Sequence, residues 1–284
     1  MAADAVHAGP YRGRIAPSPT GYLHLGHART FWAAQHRAKQ AKGTLVLRNE
    51  DIDRQRCKPE FVQAMTEDLR WFGLEWQEGP DLGGRYGPYS QSERFDLYRE
   101  ALEKLILAGA VYACTCSRKD IDTSPSAPQG ADDEVLYPGT CRLKINNKPS
   151  RSGRFSWRFK VPDGESICFE DAALGPQCFT AAKDFGDFVV WRNDDVPAYQ
   201  LAVVVDDTAM RISEVVRGAD LLVSTARQIL LYRTLGFNLP VFFHGPLLTD
   251  ERGVRLAKRN DALSLRFLRE QGATPAQLRA NWAQ

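Results

Sequence analysis

No run of about 18 apolar residues occurs in the 284-residue chain, so no stretch is long and apolar enough to cross a bilayer as a helix. Residues 1–14 lack the apolar core of a secretory signal, and the expectation is a soluble, cytoplasmic protein. An excess of one charge sign is missing too, since lysine plus arginine number 37 against 35 for aspartate plus glutamate, a net +2. Any nucleic-acid contact must therefore come from local patches and not from bulk charge. Cysteine is scarce, six residues scattered along the chain, which argues against a disulfide framework and makes any close cluster a candidate for metal. Internal repeats and long low-complexity tracts are absent as well. What is present is an ordinary globular composition, 43% hydrophobic and 25% charged, in a length that suits one large domain with an insertion, or two domains.

The stretch Arg14-Ile15-Ala16-Pro17-Ser18-Pro19-Thr20-Gly21-Tyr22-Leu23-His24-Leu25-Gly26-His27 reads as strand, loop and helix, with the helix beginning near Leu25. That is phosphate-binding geometry, because free N–H groups and the positive dipole end of a helix face an anion. Gly26 has no Cβ to hold a nucleotide away from the backbone. His24 and His27 lie three apart and share a helix face, so both imidazoles can reach one phosphate chain. Residues 28–42 continue the helix to an expected cap at Gly43. Residues 44–48 form a second strand, which makes a βαβ unit and a parallel pair. The acidic run Asn49-Glu50-Asp51-Ile52-Asp53-Arg54 then falls at a strand's carboxyl end, where open parallel sheets hold ligands.

Phe61, Met65, Leu69 and Phe72 fall at helical spacing, as do Phe95, Tyr98, Leu102 and Leu105; both sets read as core. Ser92 is placed to cap the second of these helices. Cys114 and Cys116 lie two apart and Cys141 follows a polar stretch, and three thiolates converging in this way suit one zinc ion in a closed, structural site. Spacing leaves the fourth ligand open among Tyr137, Asp120, Asp122, Asp132, Asp133 and Glu134. Cys57, Cys168 and Cys178 have no such neighbours and read as inert. Residues 152–180 carry short alternating runs, the pattern of strands in a small α+β insertion, and the main sheet is expected to resume around residues 188–192. Further strands are expected at 212–216 and 241–244, with a helix capped by Ser224 between them. Arg217 then sits at a strand's carboxyl end, where a guanidinium can clamp a carboxylate through two parallel hydrogen bonds. The basic run Arg255-Leu256-Ala257-Lys258-Arg259, taken alone, is a solvated loop.

Taken in order, the run from Arg14 to His27, the run Leu47-Arg48-Asn49-Glu50-Asp51-Ile52-Asp53, the trio Ser92, Arg94 and Tyr98, and the loop around Lys258 resemble the signatures of class I aminoacyl-tRNA synthetases in the form used by the glutamyl and glutaminyl enzymes. The likeness extends from residue 14 to about residue 272. It implies an α/β protein with a Rossmann-like nucleotide-binding fold split by a small α+β zinc-containing insertion. Residues 1–110 would form the first half of the catalytic domain, 111–187 the insertion, 188–248 the second half, and 249–284 a mobile ATP loop with a short helical remnant.

The resemblance also implies site roles in a ligase that forms an aminoacyl-adenylate. His24, His27 and Lys258 would be catalytic. ATP would meet Ser18, Gly26, His24, His27, Leu256 and Lys258; glutamate would meet Arg14, Ala16, Ser18, Glu50, Tyr199 and Arg217. The Cys-x-Cys and Tyr-x-x-x-Cys arrangement is similar to the zinc site of a shortened branch of the glutamyl family, and on that basis Tyr137 joins Cys114, Cys116 and Cys141 as the fourth ligand. Arg255 and Ala257 replace the first lysine and the serine of the family's loop signature, while Lys258 keeps its second lysine. Val203 stands where ordinary bacterial glutamyl enzymes tend to carry a polar residue. Only 24 residues follow Asn260, and the resemblance to the shortened branch implies no anticodon-binding domain. That branch transfers glutamate to queuosine at the wobble position of tRNA(Asp). The implied cofactors are one structural Zn2+ per chain and Mg2+ with ATP. The implied partners are ATP, L-glutamate and tRNA(Asp) bearing queuosine, for a monomer with no membrane attachment.

Overall fold

Arg12–Ile15 (β1) is the first element, followed by Leu25–Gln40 (α1), Thr44–Leu47 (β2), Pro59–Phe72 (α2), Phe95–Leu107 (α3), Val111–Cys114 (β3) and Arg118–Asp122 (α4). Next come Ser156–Phe159 (β4), Ser166–Asp171 (β5), Gly175–Thr180 (β6), Phe188–Trp191 (β7), Tyr199–Ala209 (α5), Glu214–Gly218 (β8), Leu222–Leu235 (α6), Val241–Gly245 (β9), Leu265–Glu270 (α7) and Pro275–Arg279 (α8). The structure, a computed structural model, describes residues 9–122, 136–142, 154–247, 264–280 and Trp282. Among these, no helix is long and apolar enough to cross a membrane. The chain divides into two units, one holding Val6–Arg94, Ala209–Asp220 and Pro240–Gln284, the other Phe95–Thr208 and Leu221–Leu239.

In the first of these units β1 and β2 pair in parallel, from Arg12 opposite Thr44 to Ile15 opposite Leu47, with α1 as the crossover that a parallel pair requires. β8 and β9 form a second parallel pair, from Glu214 opposite Val241 to Gly218 opposite Gly245. The Ser213 N–H donates to the Arg12 carbonyl at 2.9 Å, which ties β1 to the chain entering β8. Ile15, Leu23, Leu45, Leu47, Met65, Leu69, Phe72, Val216 and Leu265 are buried together, and each large apolar side chain taken out of water contributes roughly 1.5–3 kcal/mol. The periodic residues of α2 supply three of them.

Two expected caps and one helix stop turn out differently. Gly43 does not end α1, which stops at Gln40 with Ala41 as its cap, and Lys42 takes the left-handed turn at φ 50°. A Cβ on Gly43 would lie 2.5 Å from the Tyr11 carbonyl oxygen, so close backbone approach, not chain reversal, requires glycine here. Ser92 gives its N–H and hydroxyl to the Asp51 carboxylate at 2.9 and 2.7 Å instead of capping α3. Ser224 lies inside α6, where its hydroxyl accepts from Gln200 at 3.1 Å.

The other unit is antiparallel. β3, β4 and β7 form one sheet in that order, so β7 does not resume the parallel sheet as expected but pairs antiparallel with β4. Phe159 and Phe188, opposite one another in that pair, stack with ring centroids 5.3 Å apart. β5 and β6 form a hairpin that sets Cys168 opposite Cys178. The two are disulfide-bonded, a pairing hidden in sequence because ten residues separate them and only the hairpin register makes them neighbours. Tyr98, fully buried, donates its hydroxyl to the Asp206 carboxylate at 2.9 Å and so ties α3 to α5.

Gly43→Ala is expected to destabilise the protein by about 1–3 kcal/mol through overpacking against the Tyr11 backbone; urea unfolding monitored by fluorescence measures this, and an unchanged midpoint would contradict the close approach.

Candidate active site and metal centre

The loop between β1 and α1 and the loop after β2 are joined by backbone hydrogen bonds that continue beyond the strands. Arg48 N–H donates to Ile15 O at 2.9 Å and Glu50 N–H to Pro17 O at 3.1 Å. Glu50 is therefore fixed beside the Pro17-Ser18 turn at the carboxyl end of the parallel pair. Its carboxylate receives Arg48 Nη2 at 3.0 Å, and both side chains are buried, 0% and 7% exposed. Asn49 and Asp51, the alternate residues, bond to Ser90 and Ser92.

On the other side of β1, Arg14 Nη1 donates to the Val216 carbonyl at 2.9 Å, which places β1 against β8 just before Arg217. Arg217 is buried and gives its Nε–H to His244 Nε2 at 3.1 Å across the β8–β9 register. Arg14, Ala16, Ser18 and Glu50 thus lie on the β1–β2 pair and its loops, and Arg217 on the neighbouring β8–β9 pair.

His24 is the cap of α1. Its Nδ1 accepts the Gly26 N–H at 3.1 Å, and His27 Nδ1 accepts the His24 N–H at 3.4 Å, a reciprocal capping box. The two rings stack with centroids 3.7 Å apart. Because both imidazoles accept at Nδ1, each carries its proton on Nε2 when neutral, and that is the donor a phosphate oxygen needs. The Gly26 N–H, expected to face a phosphate, is occupied by the His24 ring. A Cβ on Gly26 would come within 2.9 Å of that ring, so glycine also makes room for the histidine.

Leu256 and Lys258 lie outside the described residues. The chain re-enters at Ser264, which bridges to His24, and Leu265 N–H donates to Leu23 O at 2.7 Å. Tyr199 belongs to the other unit, where it opens α5 and is 39% exposed; Val203, one turn on, is buried in the same helix. Sequence reasoning passed over Arg48 and His244. Both were legible in principle, since Arg48 immediately precedes the acidic run and His244 lies near the carboxyl end of a strand parallel to the one bearing Arg217.

The second unit gathers the three expected cysteines. Cys114 ends β3, and its sulfur, with those of Cys116 and Cys141, lies in a group no wider than 4.8 Å. The Tyr137 hydroxyl is 3.4 Å from Cys114 Sγ and 3.6 Å from Cys116 Sγ, while Cys116 and Cys141 sulfurs are 3.6 Å apart. A tetrahedral zinc with sulfur at about 2.3 Å and oxygen at about 2.0 Å requires edges of about 3.8 Å between sulfurs and about 3.5 Å between sulfur and oxygen. The donor set fits zinc. Of the other candidates, Asp120 is taken up by the Ser117 N–H and hydroxyl at 2.7 and 2.8 Å, and residues 132–134 lie outside the described residues. Burial raises the Tyr137 hydroxyl and pushes the Cys116 thiol up to about 11. At Cys141 burial also acts upward, but hydrogen bonds from Tyr137, Thr115 and Cys116 outweigh it and bring the thiol down to about 6.

Residues 11–282 match the family described as tRNA synthetases class I (E and Q), catalytic domain. Among curated proteins, the chain is 48% identical over 271 residues to a glutamyl-Q tRNA(Asp) synthetase of Nitratidesulfovibrio vulgaris, covering 94% of this chain and 83% of that protein. It is 51% identical over 268 residues to the protein of the same name in Symbiobacterium thermophilum, covering 93% and 82%. A glutamate–tRNA ligase of Sulfurihydrogenibium is 41% identical, covering 92% of this chain but 55% of its own length. Among solved structures, glutamate–tRNA synthetase from Elizabethkingia anophelis superposes with a TM-score of 0.78 at 34% identity, over 88% of this chain and 53% of that one. The chain thus spans about half the length of the glutamate–tRNA enzymes it matches.

Arg48→Met strips the buried Glu50 of its cation and is expected to cost about 3–5 kcal/mol, whereas Arg48→Met with Glu50→Met should recover most of that loss. Urea unfolding of the two single variants and the double variant measures the coupling; additive losses would show that the pair does not interact.

Proposed function

The chain belongs to the class I tRNA synthetase (E and Q) catalytic-domain family, and from that premise we propose that it activates L-glutamate with ATP and transfers it to queuosine at the wobble position of tRNA(Asp). The observation that carries this reading is that His24, His27 and Glu50 sit on the loops and helix start that follow β1 and β2, and Arg217 near the end of β8, in a chain similar over most of its length to proteins named for that reaction. Substrate glutamate would place its ammonium at Glu50 and its carboxylates at Arg14 and Arg217, with Ala16 and Ser18 alongside; the family likeness also gives Tyr199 a part in binding glutamate. ATP would lie along Ser18, Gly26 and Leu256.

In the first step a carboxylate oxygen of glutamate bonds to the α-phosphorus of ATP and pyrophosphate leaves, giving glutamyl-adenylate. In the second, a hydroxyl of the queuosine cyclopentenediol bonds to the acyl carbon and AMP leaves. No covalent enzyme intermediate is needed. His24, His27 and Lys258 stabilise charge around the phosphates, so the rate comes from positioning and fixed donors. Mg2+ enters with ATP. Cys114, Cys116, Tyr137 and Cys141 would hold a zinc ion, which would supply a structural cross-link. The segments 1–110 and 188–248 are read as the two halves of the catalytic domain, 111–187 as the zinc insertion and 249–284 as the ATP loop with its helical remnant, in a cytoplasmic monomer. The glutamate–tRNA ligases among its relatives make the tRNA 3′ end the competing acceptor.

Labelled glutamate offered with ATP to tRNA(Asp) that has or lacks queuosine separates the acceptors: label is expected only on the queuosine form, and equal labelling of both forms sinks the acceptor assignment. Glutamate-dependent ATP–pyrophosphate exchange is expected without tRNA, and His24→Ala or Lys258→Ala should lower it by about 10²–10³-fold. Purified protein is expected to carry one zinc per chain, reduced in Tyr137→Phe, as read by elemental analysis.

A further inference from the structure

A zinc ion held by three thiolates and a phenolate forms a doubly negative cluster. Enclosing that charge against a sheet is costly unless a cation stands nearby. The neighbouring strand supplies one. β3 and β4 pair with Cys114 opposite Ser156 and Tyr112 opposite Arg158, so the alternation of side chains puts Cys114 and Arg158 on the same face of the sheet.

The Arg158 guanidinium lies over the Tyr137 ring, 4.1 Å from its centroid. Its Nη1 donates to the Asp187 carbonyl at 3.0 Å, while Nε is buried with no hydrogen-bond partner. Among the described residues no carboxylate pairs with it. The nearest candidate, the Asp187 carboxylate, is already engaged by the Tyr112 hydroxyl at 2.6 Å, the Val161 N–H at 2.8 Å and Arg142 at 3.2 Å. Arg158 is thus a half-buried positive charge held over the Tyr137 ring, with no carboxylate partner among the described residues.

We infer, resting on the zinc assignment proposed above, that Arg158 is the positioning residue and counter-cation of the metal site. Its guanidinium over the ring keeps the Tyr137 oxygen among the three sulfurs, and its charge offsets the anionic cluster, so a tyrosine can serve where a neutral ligand would otherwise be favoured. A packing role alone would need only a flat or flexible apolar group over the ring. Charge and shape are separable by substitution, because methionine keeps bulk without charge and lysine keeps charge without the plane.

Zinc transfer from the zinc-loaded full-length protein to 4-(2-pyridylazo)resorcinol ranks the affinities. Arg158→Met is expected to weaken zinc binding by roughly 10- to 100-fold, the usual cost of losing a group that supports a metal ligand, and Arg158→Lys should fall between it and the parent. The tyrosinate ultraviolet difference band that appears on zinc loading should weaken in the same order, with far-ultraviolet circular dichroism unchanged. Arg158→Gln serves as a second neutral variant should the methionine protein not fold. Parental affinity and a full tyrosinate band in the neutral variant overturn the role, as does a lysine variant that loses as much as the neutral one. Parent protein that neither carries nor takes up zinc overturns the zinc assignment itself, a result distinguishable from either of those.

Discussion

The two backbone hydrogen bonds from Arg48 to Ile15 and from Glu50 to Pro17 are the constraint on which the candidate active site depends. β1 and β2 are only four residues each, too short to define a pocket by themselves. Continuing their pairing into the following loops makes two irregular segments as well defined as strands. The histidine cap of α1 grows out of one segment and Glu50 sits on the other, so both inherit the precision of the parallel pair. The buried Arg48–Glu50 pair then helps to fix the direction of the carboxylate.

The antiparallel unit solves a different problem. It draws Cys114, Cys116, Tyr137 and Cys141 together from the end of β3 and from a returning segment. The strand pairing of β4 with both β3 and β7 lets residues distant in sequence, Arg158 and Asp187 among them, frame the cluster.

Much of this was legible in the sequence where period and chemistry agreed. The βαβ unit, the core faces of α2 and α3, the zinc-like cluster and the histidine motif all follow from spacing and residue type. The failures were tertiary. Gly43 looked like a helix stop, yet its cause is a carbonyl contributed by Tyr11. Ser92 and Ser224 had good capping chemistry, but Asp51 and Gln200, remote in sequence, claimed their hydroxyls. β7 carried the hydrophobic signature of a parallel core strand, and only its pairing with β4 reveals the sheet to which it belongs. Cys168 and Cys178 showed no local sign of partnership because hairpin register is set by both strands at once. Arg48 and His244 were visible as residues but not as partners, since burial is what converts them from solvated groups into parts of the site.

The histidine cap carries a thermodynamic implication. A helix start that left the Gly26 N–H waiting for an anion would gain a full hydrogen bond on binding, and would suffer an unsatisfied donor until then. With His24 Nδ1 already accepting that N–H, a phosphate bound as proposed above would gain close to nothing from this donor, since taking it would only exchange one acceptor for another. The neutral ring keeps the helix start satisfied through one nitrogen and presents its proton at the other, so in the proposed reading the cap stays whole when a nucleotide enters.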